Sequence, residues 1–268
     1  MKRFDMRVVF GLLLVCLGGL FLLQNFDVIP ADMPLLWVAV FALSGVVFLV
    51  AFITDTRQWW FLIPAFALLG LAALIGLPSL LSEFPDAAGA AIFMGMIGLS
   101  FVAIFLITAA REWWALIPGF SLLGLAALIG LPSLLPALPG ELGVGVFMGM
   151  IGLSFVVIFL VTRGREWWAL IPGGALASVA ALISLTPFLR GEAAVGVMML
   201  VLALTFALVA LLAPREEPRR WAFIPATILA VMGVLFVAAA TRVVAYILPA
   251  ALILGGGVFI YRSLRARA

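Results

Sequence analysis

Ten long stretches of this chain run almost without a charge, at about 8–24, 35–53, 59–81, 87–108, 113–135, 142–162, 167–188, 193–213, 221–240 and 243–261. At about 1.5 Å of rise per residue, helices of such lengths match a hydrocarbon layer about 30 Å thick. Inside lipid the backbone has no water to bond, which leaves helices or a closed barrel. Barrel strands are about ten residues long and alternate in polarity, whereas these runs are twice that length and apolar on every side. Only 10% of the 268 residues are charged, against about 25% in soluble domains, too few for a water-facing shell. The expectation is an all-α polytopic integral membrane protein of about ten transmembrane helices, forming a single transmembrane domain over 1–268.

The weakest boundary lies between the last two runs, where only Thr241 and Arg242 interrupt the apolar sequence. One helix over 221–261 would be about 60 Å long, twice the layer, and would carry an arginine through lipid. Two spans joined by a tight turn cost less. The first run follows a basic start but lacks a small-residue cleavage pattern, and Gln24, Asn25 and Asp27 come after it, so it reads as a retained helix. With the N-terminus inside, alternating loops place 13 basic residues inside and only Arg190 and Arg242 outside, while the acids divide evenly. Basic residues in short loops set topology, so both termini are expected in the cytoplasm.

Self-comparison shows a repeat. Residues 59–108 and 113–162 align without a gap at a shift of 54, with 36 of 50 positions identical. Both contain LLGLAALIGLPSLL and, one helix on, FMGMIGLSFV; further copies open with REWWALIPGG at 165–174 and RRWAFIP at 219–225. The first two spans fit weakly, with Thr54 matched to Thr108 and Thr162 as span ends. The reading is five parallel two-helix hairpins, over about 1–56, 57–110, 111–164, 165–218 and 219–268. Inverted repeats, common in secondary transporters, are a different design.

Each repeat opens with an arginine and paired tryptophans: Arg57, Trp59 and Trp60; Arg111, Trp113 and Trp114; Arg165, Trp167 and Trp168; then Trp221 alone. Tryptophan favours the headgroup zone, and a neighbouring arginine can meet lipid phosphate, so the motif reads as an interfacial anchor or a surface for a partner. Glu112 and Glu166 precede their helices, where negative charge suits the dipole. Pro64, Pro118, Pro172 and Pro225 either fall at true helix starts, with the Trp pair lying along the interface, or bend the spans. Pro78 and Pro132 terminate or bend the opposite ends. Gly95, Gly98, Gly143, Gly145, Gly149 and Gly152 mark close helix packing, within the chain or between copies.

Chemistry is scarce. The chain has no histidine, its one cysteine (Cys16) lies in the first run, and no confident span carries an ionisable group at depth. Metal sites, cofactors and proton-coupled transport are therefore not expected. Gly255-Gly256-Gly257 lies in an apolar span without a following Gly-Lys-Ser/Thr, so it is not a phosphate loop. Interfacial carboxylates, arginines, Tyr246 and Tyr261 form no acid–base or nucleophilic constellation, and the chain does not read as an enzyme. The basic residues are scattered singly, which argues against nucleic acid. Ser44, Ser100 and Ser154, inside spans, bond to their own or a facing helix, or line a path.

FGLLLVCLGGLFLLQNFDVI at 10–29 resembles the transmembrane hairpin of bacterial membrane proteins of the LiaI and LiaF type, and the REWWALIP segments look like continuations of such hairpins. That resemblance implies a bacterial inner membrane and an accessory role in envelope stress signalling; the chain departs from it in multiplying hairpins. The leading expectation is a non-enzymatic scaffold or accessory that packs against membrane lipids, a membrane-protein partner or copies of itself. The alternative is an uncoupled transporter of a small solute or lipid, which needs a cavity lined by Ser44, Ser100 or Ser154.

Overall fold

A computed structural model describes residues 6–26, 28, 30, 33–81, 83–212, 219–240, 249 and 252–256. Nine long α-helices lie among them: α1 (Met6–Asn25), α2 (Pro34–Thr54), α3 (Leu62–Leu80), α4 (Asp86–Ile107), α5 (Leu116–Leu134), α6 (Gly140–Val161), α7 (Leu170–Leu185), α8 (Gly191–Leu211) and α9 (Phe223–Ala240). Residues 252–256 are also helical. The turn expected at Thr241 and Arg242, together with Tyr246, Tyr261, Gly257 and the basic residues Lys2, Arg3, Arg215, Arg262, Arg265 and Arg267, lies outside the described residues. Eight spans of 19 to 22 residues, α2 to α9 with the short turns that lead into the odd-numbered ones, are long and apolar enough to cross a bilayer. The protein is a multi-pass all-α membrane protein.

Four short 3-10 turns, Trp59–Phe61, Trp113–Ala115, Trp167–Ala169 and Arg220–Ala222, lead directly into α3, α5, α7 and α9. The register prolines therefore fall at the third residue of each α-helix. Backbone N–H groups in the first turn have no intrahelical acceptor, so a proline there loses nothing. Of the two readings of these prolines, the structure shows helix starts rather than bends. Pro78 and Pro132 lie inside α3 and α5, which end two residues later.

From α2 to α9 each helix packs against the next in the chain, and substantial helix–helix contacts among the described residues go no further. Among the described residues, α2 to α9 therefore form an open row, one helix thick, rather than a bundle closed around an axis. At most a third of any span is buried. This explains helices apolar on all sides: lipid, not protein, covers the rest.

Lipid tails are as apolar as leucine, so helix association here depends on close van der Waals approach. Between successive hairpins, glycines bring backbones together. A Cβ on Gly98 would lie 2.9 Å from the Gly119 carbonyl oxygen, and one on Gly152 at the same distance from that of Gly173. Gly196 and Gly233 meet equally closely. Within hairpins, Gly70 seats Phe93 and Met96, and Gly124 seats Phe147 and Met150. Of the sequence-marked glycines, Gly98, Gly143, Gly145 and Gly152 are buried within the chain, and Gly95 and Gly149 face Ala126 and Ala180 in ordinary contact.

At the first junction α2 ends at Thr54, as expected, but lies one residue out of the 54-residue register. Gly45 packs on the Ala65 carbonyl as Gly98 packs on that of Gly119. Asp55 is the residue that caps α2, its N–H bonded to the Ala51 carbonyl, as Thr108 caps α4 with its N–H on that of Ile104. Asp55 is thus the counterpart of Thr108, and the loop that follows α2 is one residue shorter.

Candidate functional site: the tryptophan rim

The most buried side chains gather at one end of the row, where the 3-10 turns lie. Ala115 packs with Leu62 and Ile104, Ala169 with Leu116 and Ile158, and Ala222 with Leu170 and Val209. Each cluster joins a hairpin's two helices to the turn that opens the next. Phe61 holds the corresponding place in the first turn, with Phe48 and Ala65.

The loops at this end share one construction. After α4, the N–H of Ala110 donates to the Phe105 carbonyl (3.0 Å), closing the helix with Ala109 and Ala110 at φ 49° and 64°. Thr108 Oγ1 donates to the Ile104 carbonyl at 2.8 Å and accepts the N–H of Glu112 at 3.4 Å. Arg111 Nε donates to the Thr108 carbonyl at 3.3 Å. Glu112 Oε2 accepts the indole N–H of Trp114 at 2.6 Å. The same set recurs one repeat on, at Thr162, Arg165, Glu166 and Trp168, with Arg163 and Gly164 at φ 52° and 77°. In the shorter first loop, Asp55 accepts from the N–H of Arg57 (3.2 Å) and from Gln58 Nε2 (2.9 Å).

These loops hold the tryptophans as a series linking one repeat to the next. Trp59 meets Trp114 at 6.2 Å between ring centroids, and Trp113 meets Trp168 at 6.5 Å, both steeply inclined. At the next junction the guanidinium of Arg219 lies 4.1 Å from the ring of Trp167, so a cation–π contact stands in for the ring pair. Phe101, Phe155 and Phe206 present their rings edge-on to Trp114, Trp168 and Trp221. Trp60, the first of the series, lies against Phe61. The second tryptophan of each repeat stays 39–50% exposed, while Trp59, Trp113 and Trp167 are more covered. Arg57, Arg111 and Arg165 are exposed at the same end.

All ten residues of the sequence motif therefore lie along one rim. The phenylalanines that seat the rings were missed, as was the tryptophan bond of Glu112 and Glu166, which the sequence reading assigned only to the helix dipole. The identical FMGMIGLSFV segments carried Phe101 and Phe155 in plain view.

Ser100 and Ser154 are fully buried and donate to their own helices at the carbonyls of Ile97 and Ile151, and Ser44 is half-buried. An open depression of about 430 Å³ lies at the other rim, bordered by Leu80, Leu81, Glu83, Phe84 and Pro85, away from those serines. No protein family, characterised protein or solved structure matches the chain.

Proposed function

We propose that this protein is a non-enzymatic scaffold or accessory of a bacterial cell membrane, with its tryptophan rim and both termini in the cytoplasm. The observation that carries this reading is the rim itself: ring contacts and a cation–π contact join one repeat to the next and leave a row of half-exposed indoles. Such a row offers a long, shallow surface at headgroup depth to a membrane-protein partner or a second copy. The segregation of 13 basic residues against two supports the orientation. The likeness of 10–29 to LiaI- and LiaF-type hairpins points toward envelope-related signalling. A transport path has less support, because Ser100 and Ser154 spend their hydroxyls on their own backbones.

The test is crosslinking in membranes followed by purification, comparing the native chain with one in which Trp60, Trp114, Trp168 and Trp221 are all alanine. Loss of a specific crosslinked membrane protein or homo-oligomer from the variant is the expected result. An unchanged crosslinking pattern, or solute flux through the purified protein in vesicles, overturns the reading.

A further inference from the structure

The arginines of the rim are exposed at the end of a membrane-spanning row, yet Arg111 and Arg165 have no ion-pair partner in their own loops. Glu112 is the nearest carboxylate in sequence to Arg111, and its Oε2 is taken by the indole N–H of Trp114. Glu166 is likewise taken by Trp168, beside Arg165. Each arginine bonds through Nε to a threonine carbonyl, which holds the side chain at the helix end. Neither guanidinium makes an ion pair among the described residues. Two charge-bearing forks are thus pinned in place with their Nη donors turned to no protein acceptor, each in a loop that also carries a half-exposed indole.

We infer that the rim binds anionic phospholipid headgroups at Arg111 and Arg165. A guanidinium fork matches two phosphate oxygens, each met by its own N–H donor. The indoles, whose N–H groups are already occupied, offer ring faces to the glycerol and upper acyl region rather than competing for the phosphate. A zwitterionic lipid presents the same phosphate but cancels its charge with its own cation, so guanidinium forks without an ion-pair partner favour the anionic one. The opposite rim has the reverse character: Glu83, Glu141 and Glu192 are exposed there, with Arg190. This inference goes beyond the scaffold reading and requires no protein partner.

The test is native mass spectrometry of the full chain in detergent, titrated with equal amounts of phosphatidylglycerol and phosphatidylcholine. The native protein is expected to retain the anionic lipid about threefold or more over the zwitterionic one, in line with the attraction of basic residues at an anionic surface. Arg111→Gln with Arg165→Gln removes that preference, Arg190→Gln keeps it, and inorganic phosphate displaces no more lipid than ammonium acetate of equal ionic strength. Equal retention of both lipids by the native chain, or the same preference in the double variant, overturns the inference. Displacement by inorganic phosphate beyond that of the matched salt overturns it in favour of a free-anion site. Should the double variant not fold, raising the ionic strength on the native protein serves instead, since anionic retention must then fall toward the zwitterionic level.

Discussion

At the scale of the residue, two equivalent loops differ in how they meet the same backbone demand. The turn after α4 places Ala110 at φ 64°, where the turn after α6 places Gly164 at φ 77°. A Cβ is disfavoured in that left-handed region by about 1–2 kcal/mol, while glycine enters it freely. Ala110→Gly is therefore expected to stabilise the protein by about 0.5–1 kcal/mol, and Gly164→Ala to destabilise it by about 1 kcal/mol. Unfolding in mixed detergent micelles reads both, and the two shifts must have opposite sign. The loop bonds themselves were hard to read from the chain. Glu112 and Trp114 are two residues apart, a spacing that does not share a face of an α-helix. They meet where Glu112 precedes the 3-10 turn with a non-helical backbone, at φ −94° and ψ 56°. The pinning of Arg111 likewise depends on a carbonyl at the helix end, which no side-chain pattern reports.

At the scale of the element, hydropathy placed the spans well because lipid demands length and apolarity of every crossing helix alike. The run at 113–135 overlaps the turn at Trp113–Ala115 and α5, and differs from them by one residue at its far end. The side on which each helix meets its neighbour was less legible, since spans apolar all round carry no stripe that points inward. Only the glycines report it, and they report it unevenly. A Cβ on Gly152 would lie 2.9 Å from the backbone oxygen of Gly173, whereas one on Gly140 would meet nothing within 4 Å. Gly152→Ala is expected to cost about 1–3 kcal/mol, as overpacking against rigid backbone does. Gly140→Ala should change stability by less than about 0.5 kcal/mol. The same unfolding measurement separates them, and equal effects would contradict the close α6–α7 approach. Glycines also show where α2 departs from the repeat spacing: Gly45 holds the place of Gly98 one residue out of register, although Thr54 ends its span as expected.

At the scale of the whole molecule, the neighbour-only packing makes the hairpins interchangeable. Removing residues 113–166, 54 in all, would join Glu112 to Trp167 and restore the sequence Arg-Glu-Trp-Trp at the seam. Gly98 would then oppose Gly173 where it now opposes Gly119, and Trp168 would follow Trp59 in the ring series. The shortened chain is expected to insert with unchanged helicity per residue and with its C-terminus on the same side of the membrane. Circular dichroism and a C-terminal accessibility label check this; loss of helicity would show that distant hairpins depend on one another. An open row of this kind also has a direction for being undone. A pull on the C-terminal end would free one hairpin at a time, each departure leaving the contacts among the earlier hairpins intact, so the protein would come apart like a zip rather than shatter.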